Sequence, residues 1–320
     1  MAAAAPGLAR SLPGNETVSR ARRARNLAWW SVAAVALLLV IAPVVWVLYG
    51  VFQQAVPNWH WTVLTQVTTG VGGGLANALA GTGVLLLGVG VLVAIVGIGC
   101  GLYLAEFAPT GLLTSLLRSA SEVLSGVPSI VIGYVGYVAL VVGLHWGFSL
   151  LPAVIVLTVL VIPYVAKATE IAVGQVPLAY REGAEALGMA RSRMLRTVVM
   201  RSAIPGIATG IIVALAISVG ETAPLLYTAG YSNSYPTAQL LHSAVPYLTY
   251  ATWTFYDDPS SAVKALAFDS MVLLVVLVLA LILASRLIVR VTQKHSPARA
   301  AGGGGRRAAR AQAAKARPAR

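Results

Sequence analysis

Charged side chains are scarce in this sequence, and two long ranges contain none. Asp, Glu, Lys and Arg make up 10% of the 320 residues, whereas soluble domains carry about 25%. Residues 26–105 and 123–166 contain none of the four. Because 58% of the residues are hydrophobic, the chain lacks the polar surface that a water-soluble globule needs. We therefore predict an all-α integral membrane protein, since helices satisfy their own backbone hydrogen bonds in lipid.

Paired cysteines and Gly-Lys pairs are also missing, which excludes several kinds of site. Cys100 is the only cysteine, so the chain forms neither an internal disulfide nor a thiolate metal centre. No lysine directly follows a glycine, and a phosphate-cradling P-loop requires that pair. We expect no metal and no cofactor on this chain. The chain itself therefore has no P-loop that could bind ATP.

Six apolar segments are long enough to cross a bilayer, which takes about 20 residues in a helix. The predicted spans are residues 27–52, 75–104, 123–144, 150–168, 203–227 and 267–289. They define one membrane domain, residues 27–291, with a cytoplasmic loop at residues 169–202. The flanking segments, 1–26 and 292–320, are basic and rich in Ala, Arg and Gly, and we expect them to be disordered cytoplasmic tails.

The basic residues indicate how these spans are oriented. If the N-terminus is cytoplasmic, every Lys and Arg except Lys264 falls on the cytoplasmic side. Positive residues are enriched in cytoplasmic loops, so both termini are predicted to lie on the cytoplasmic side of the membrane. The net charge of +13 then reflects the lipid bilayer as a partner, and no nucleic acid is implied.

The cytoplasmic loop contains a predicted amphipathic helix. Pro177 suits a first helical turn because it lacks an N–H group, and Glu182 follows near the positive end of the helix dipole. Ala184 and Gly188 are four residues apart, so we expect them to share a bare face of the helix that a neighbouring backbone can approach closely. Two interpretations stay open from the residues alone: docking into a cleft of another protein, or packing against the chain's own bundle.

Glu221 is the second candidate site, since it is the only charged residue in the range 202–256. At 1.5 Å per residue it lies about 24 Å beyond Pro205, in the outer half of the bilayer. A carboxylate at that depth is expected to face a wet pathway or a basic partner. Pro224 is expected to loosen or end the helix there. The alternatives are a solvated Glu221 at the outer interface, a protonated one, or one that gates the pathway.

The loop also carries a family resemblance. The order Glu182-Gly183-Ala184, three residues, then Gly188 resembles the EAA loop of type I ABC importer permeases, E-A-A-x-x-x-G. In that family the loop forms a coupling helix that sits in a groove of the ATPase subunit. The resemblance implies that these four residues couple this chain to an ATPase. The match departs from the family pattern at Arg201, where a proline is common.

Three further stretches, residues 103–109, 126–130 and 220–226, resemble the PstA phosphate permeases of that class. The resemblance implies a type I ABC importer permease fold with six transmembrane helices, import of inorganic phosphate, and a pathway lined or gated by Glu221, Thr222 and Pro224. It also implies a PstC-like second permease, a dimer of PstB-like ATPases that holds ATP and Mg, and an external PstS-like phosphate-binding protein. A location in the plasma membrane of a bacterium is implied as well.

Other transport classes predict different features. A sulfate or molybdate permease would keep the loop but not the stretch at 220–226. A secondary transporter usually shows repeated half-domains and several buried ionisable residues, and neither is found in the sequence. A membrane enzyme would need a nucleophile and a base within the membrane, whereas His60, His145 and His242 fall at or near the outer side of the predicted topology.

Overall fold

The structure, a computed structural model, describes residues 20–108 and 111–294. Of the predicted disordered tails, residues 20–26 and 292–294 are helical, so the prediction of disorder is wrong for them. Residues 1–19 and 295–320 lie outside the described ranges. The chain divides into two compact units, Met1–Gln53 and Gln54–Arg320. In the described ranges the helices are α1 (Arg20–Ala55), α2 (Ala76–Glu106), α3 (Leu112–Gly126), α4 (Ser129–Gly136), α5 (Leu150–Gly174), α6 (Leu178–Ala186), α7 (Arg191–Met194), α8 (Met200–Gly220), α9 (Ala223–Thr228), α10 (Leu248–Phe255) and α11 (Ser261–Lys294).

Short irregular elements connect the helices. Helical turns of π geometry continue α4 through Tyr137–Gly143 and join α7 to α8 through Leu195–Val199. Between α1 and α2 the chain makes two 3-10 turns, Val56–Asn58 and Trp61–Leu64. A small antiparallel pair follows, β1 (Thr68–Thr69) and β2 (Gly72–Gly73). The described residues are therefore mostly helical, which confirms the prediction of an all-α protein.

The core of the second unit is a packed group of α2, α5 and α8. A Cβ atom on Gly101 of α2 would lie 2.4 Å from the backbone oxygen of Ala166 on α5, and one on Gly210 of α8 would lie 2.4 Å from Cβ of Ala168. Such small residues let the backbones of membrane helices approach closely, which gains van der Waals contact where lipid offers no hydrophobic driving force. Val161 of α5, which has no exposed surface, lies at the centre of this group.

Five helical segments in the described residues are long and apolar enough to cross a membrane: α1, α2, α5, α11 and the continuous helix Arg191–Gly220. A sixth span exists if α3 and α4 are counted together, although these two helices meet at 103°. The prediction of residues 123–144 as one span is therefore wrong in its geometry. Pro128 disfavours helical backbone at Val127, whose φ of −73° and ψ of 131° are extended, so α3 must end there.

The fifth predicted span, 203–227, also differs from the structure. Its helix begins earlier, at Arg191, and ends at Gly220. Glu221 then has an extended backbone (φ −76°, ψ 120°), and α9 starts two residues later with Pro224 in its first turn. A proline at the start of a helix removes an N–H that has no partner there. The break therefore precedes Pro224 and lies at Glu221 and Thr222.

Candidate functional site

The cytoplasmic loop is built around α6, a nine-residue helix. Pro177 is its N-cap, with an extended backbone (φ −55°, ψ 137°), one position before the first turn in which the sequence pattern placed it. The N–H of Tyr180 donates to the Pro177 carbonyl over 3.0 Å and closes the first turn. The predicted short helix is thus present, and it begins where the proline indicates.

Gly188 ends this helix and does not continue it. Its φ of +69° lies in the left-handed region, where a side chain is disfavoured. The Gly188 N–H donates to the Glu185 carbonyl over 2.8 Å, and the Met189 N–H donates to the Ala184 carbonyl over 3.1 Å. This pair of bonds is the Schellman arrangement that satisfies the last carbonyls of a helix. The glycine in the loop motif therefore has a backbone role in this chain.

Ala184 points into the protein. It is 5% exposed and packs with Val173, Leu195 and Val199 in an apolar cluster beneath the loop. The prediction that Ala184 and Gly188 form one bare exposed face is therefore wrong. Residues four apart share a face only within one helix. Here α6 ends at Ala186, two residues before Gly188.

The outward surface of the loop is formed by other residues. Glu182 and Gly183 are exposed, and no atom lies within 4 Å of a Cβ built on Gly183. Two leucines are also exposed at the ends of the helix, Leu178 by 67% and Leu187 by 83%. The sequence analysis singled out neither leucine, because a sequence pattern does not show which side of a helix stays uncovered.

Arg181 holds α6 to the ends of two other helices. Its Nη1 atom lies 2.6 Å from Oε1 of Glu106 at the end of α2, and its Nη2 atom donates to the Val173 carbonyl on α5 over 3.2 Å. The Glu106 side chain is 5% exposed. Its Oε1 atom accepts no aligned hydrogen bond from any described residue, so the contact with Arg181 is an ion pair in character.

Arg191 approaches the same helix end from the other side of the loop. Its Nη2 atom donates to the Glu106 backbone oxygen over 2.8 Å, and its guanidinium lies 5.3 Å from the centre of the Phe107 ring. The sequence marks two members of this cluster but not their pairing. Glu106 is the first carboxylate after the uncharged range 26–105, and Arg181 precedes Glu182 in the loop motif.

Glu221 is half-buried in the break between α8 and α9. The Thr249 hydroxyl donates to its backbone oxygen over 3.1 Å, and its own N–H donates to the Ser218 carbonyl over 3.4 Å. No basic side chain of the described residues forms an ion pair with its carboxylate. The main chain at Glu221 is thus held by this chain, while its charge has no counterion here.

Thr222 and Pro224 complete the break. Thr222 is half-buried at the N-cap of α9, and the Leu226 N–H donates to its carbonyl over 3.1 Å. Pro224 is buried, and a Cβ atom on Gly133 of α4 would lie 2.5 Å from its Cα atom. Pro224 therefore packs α9 against α4.

Asp269 on α11 is a buried carboxylate that sequence reasoning missed. It is 1% exposed, and its Oδ1 atom has no hydrogen-bond partner among the residues that the structure describes. The signal was its position, since it is the last carboxylate side chain of the sequence and lies within the sixth predicted span. Ionisable groups inside membrane spans are rare and commonly functional.

Comparison with known proteins places the chain in a family. Residues 97–295 match the binding-protein-dependent transport system inner membrane component. The chain is 54% identical over 276 residues to the phosphate transport system permease protein PstA 2 of Mycobacterium bovis, covering 86% of this chain and 91% of that protein. It is 32% identical over 270 residues to the phosphate transport system permease protein PstA of Yersinia pestis, covering 83% and 90%.

A solved structure shares the fold. A chain of the MetNI methionine ABC transporter in an inward-facing conformation aligns with a TM-score of 0.55 at 19% identity, covering 68% of this chain and 95% of that one. Proteins of this family are membrane components of transporters and not enzymes, and they work with an ATPase and a substrate-binding protein. The chain therefore belongs to the binding-protein-dependent transport system inner membrane components, has the type I ABC importer permease fold, and is a relative of the PstA permeases.

Proposed function

We propose that this chain is the permease subunit that moves inorganic phosphate into the cytoplasm in an ATP-driven importer. One observation carries the choice of substrate: the 54% identity to a phosphate transport permease extends over 86% of this chain. The alignment is too long to reflect the loop motif alone, which every permease of this class is expected to share. The same substrate is named for a second relative at 32% identity.

The outward surface of α6 is the proposed contact with the ATPase. Glu182 and Gly183 keep the coupling role that the sequence motif implies, while Ala184 packs α6 against the cluster beneath it and Gly188 ends the helix. Leu178 and Leu187 extend this surface, because exposed apolar side chains at the membrane's cytoplasmic side are best accounted for by a partner that covers them. Burying one leucine in such a cleft contributes about 2 kcal/mol.

The break between α8 and α9 is the proposed pathway segment. Backbone groups released by a helix break are tolerated at membrane depth only where they are covered by protein or line a watery cavity. We place Glu221 and Thr222 on the pathway, with Glu221 paired to a cation of a second permease. Pro224 holds the break against α4. A buried carboxylate without a counterion would cost several kcal/mol, which favours the ion pair.

The proposed complex contains a PstC-like second permease, two PstB-like ATPases that hold ATP and Mg, and an external PstS-like binding protein. Both termini of this chain lie in the cytoplasm, as the positive residues of the loop and tails indicate. ATP-driven closure of the two ATPases would move α6 in each permease. The spans would then open to the outside, and hydrolysis would reset them.

The test is reconstitution of the complex in liposomes. The binding protein is placed on the side of the membrane that corresponds to the outside of the cell. ATP-dependent uptake of radiolabelled phosphate is expected, with no competition from sulfate or molybdate at a hundredfold excess. Uptake of sulfate or molybdate in place of phosphate would refute the proposed substrate. Phosphate uptake without ATP would refute the proposed energy source.

A further inference from the structure

The position of Glu106 is electrostatically unusual. Its side chain is 5% exposed at the C-terminal end of α2, where the helix dipole is negative and a carboxylate is disfavoured. Burying a charge without a partner is also unfavourable. The contact with Arg181, at 2.6 Å, offsets both effects. A carboxylate at this helix end is thus compatible with the fold only because a cation from the loop reaches it.

Arg181 joins three separate helices at one point. It lies on α6, pairs with Glu106 on α2, and donates a hydrogen bond to the Val173 carbonyl in the last turn of α5. Arg191 adds a second bond from the loop to the Glu106 backbone oxygen. The contacts of α6 with the cluster beneath it are otherwise apolar, including that of Ala184. Apolar contacts are non-directional, whereas the ion pair and hydrogen bond fix the position of α6 along α2 and α5.

We infer that the Glu106–Arg181 pair is the link through which displacement of α6 moves α2 and α5, and that Arg181 is a positioning residue for transport. The inference rests on the proposed function, because it requires an ATPase docked on α6. The helices that α6 would displace are connected to the proposed pathway by close packing. The α2 helix packs on α5 at Gly101, and α5 packs on α8 at Gly210. At its outer end α8 stops at Glu221, so displacement of α5 shifts the break.

The test measures phosphate uptake and ATP hydrolysis in the same liposomes, using the whole complex purified through this chain. Glu106→Gln keeps the size and polarity of the side chain and removes its charge. Arg181→Gln removes the cation at this position, whereas Arg181→Lys keeps one. Arg118→Gln is the matched control, since it breaks a partly exposed ion pair of 2.8 Å with Glu170 that does not involve α6.

We expect Glu106→Gln and Arg181→Gln to lower the phosphate imported per ATP hydrolysed by about tenfold, a typical effect of losing one coupling contact. ATP hydrolysis and the amounts of ATPase bound to the complex are expected to stay near the wild-type values. Arg181→Lys should recover most of the uptake, because the charge beside Glu106 is kept. Arg118→Gln should leave both rates unchanged.

Three results would overturn the inference. Uptake and hydrolysis could fall in equal proportion, both could stay at wild-type levels, or none of the three variants at Glu106 and Arg181 could accumulate in the membrane. In the last case the pair serves folding. A wild-type complex that hydrolyses ATP without importing phosphate would instead refute the proposed function, so the two failures are distinguishable.

Discussion

Gly183 and Gly188 both belong to the loop motif, yet we expect an added methyl group to have opposite effects at the two positions. No atom lies within 4 Å of a Cβ at either site, so the effect does not come from a clash. Gly188 has a φ of +69°, and a side chain in that conformation costs about 1–2 kcal/mol. Gly183 lies inside α6, where alanine is more favourable than glycine by about 1 kcal/mol.

Hydrogen–deuterium exchange of the α6 amides in the detergent-purified chain measures both effects. Local opening should become about five- to thirtyfold more frequent in Gly188→Ala and about fivefold less frequent in Gly183→Ala, from the conversion of these energies to equilibrium constants. Gly188→Asn should fall between wild type and Gly188→Ala, because asparagine tolerates the left-handed region better than alanine. The comparison needs no partner protein, so it reports on the helix alone.

Exchange that changes in the same direction in both alanine variants would refute the reasoning. It would mean that Gly188 is kept for the space around it and not for its backbone conformation. Loss of phosphate uptake in Gly188→Leu has two possible causes, a filled docking patch and a lost helix end. The exchange result in Gly188→Ala separates them, because a methyl group there meets no neighbour.

Ala184→Leu is expected to lower the thermal stability of the chain, because overpacking the cluster beneath the loop costs about 1–3 kcal/mol; an unchanged melting temperature would contradict its burial. Leu187→Ala should keep the melting temperature and reduce the ATPase that co-purifies; full recovery of the ATPase would remove Leu187 from the contact. Glu221→Gln and Glu221→Ala should both impair uptake if the carboxylate is ionised and paired, whereas a silent Gln variant would indicate a protonated one. In a Cys100→Ser background, cysteine at Leu187 should react with impermeant reagents from the cytoplasmic side and cysteine at Asp257 from the outside; reaction of both from one side would refute the topology.

The helix breaks show how far a sequence pattern reaches. Pro128 and Pro224 were both visible, and the pattern correctly suggested that the helix is interrupted near Glu221. It did not place the interruption, since proline is compatible with a kinked span, a first turn or a full stop. In the structure Pro224 lies in the first turn of α9, where it packs against Gly133 of α4. A single sequence does not contain that contact.

The loop shows the same division more sharply. Pro177 was enough to predict α6, because the missing N–H and fixed φ act locally. The side that α6 presents was predicted wrongly, because it depends on where the helix ends and on the cluster that covers Ala184. The pairing of Glu106 with Arg181 was invisible for a related reason. The sequence shows both residues but not their proximity, because only the fold brings the end of α2 beside α6.

The sequence by itself determined that this chain lies in a membrane and how many apolar segments it offers, and it predicts the side on which its positive charges lie. These properties follow from the transfer free energy of each side chain between water and lipid, which is set by its own chemistry. Tertiary structure decided where α3 and α8 stop, which small residues face a neighbouring backbone and which charges are paired. Those features depend on contacts between residues that are distant in the chain, and so on the packing of helices that no local pattern specifies.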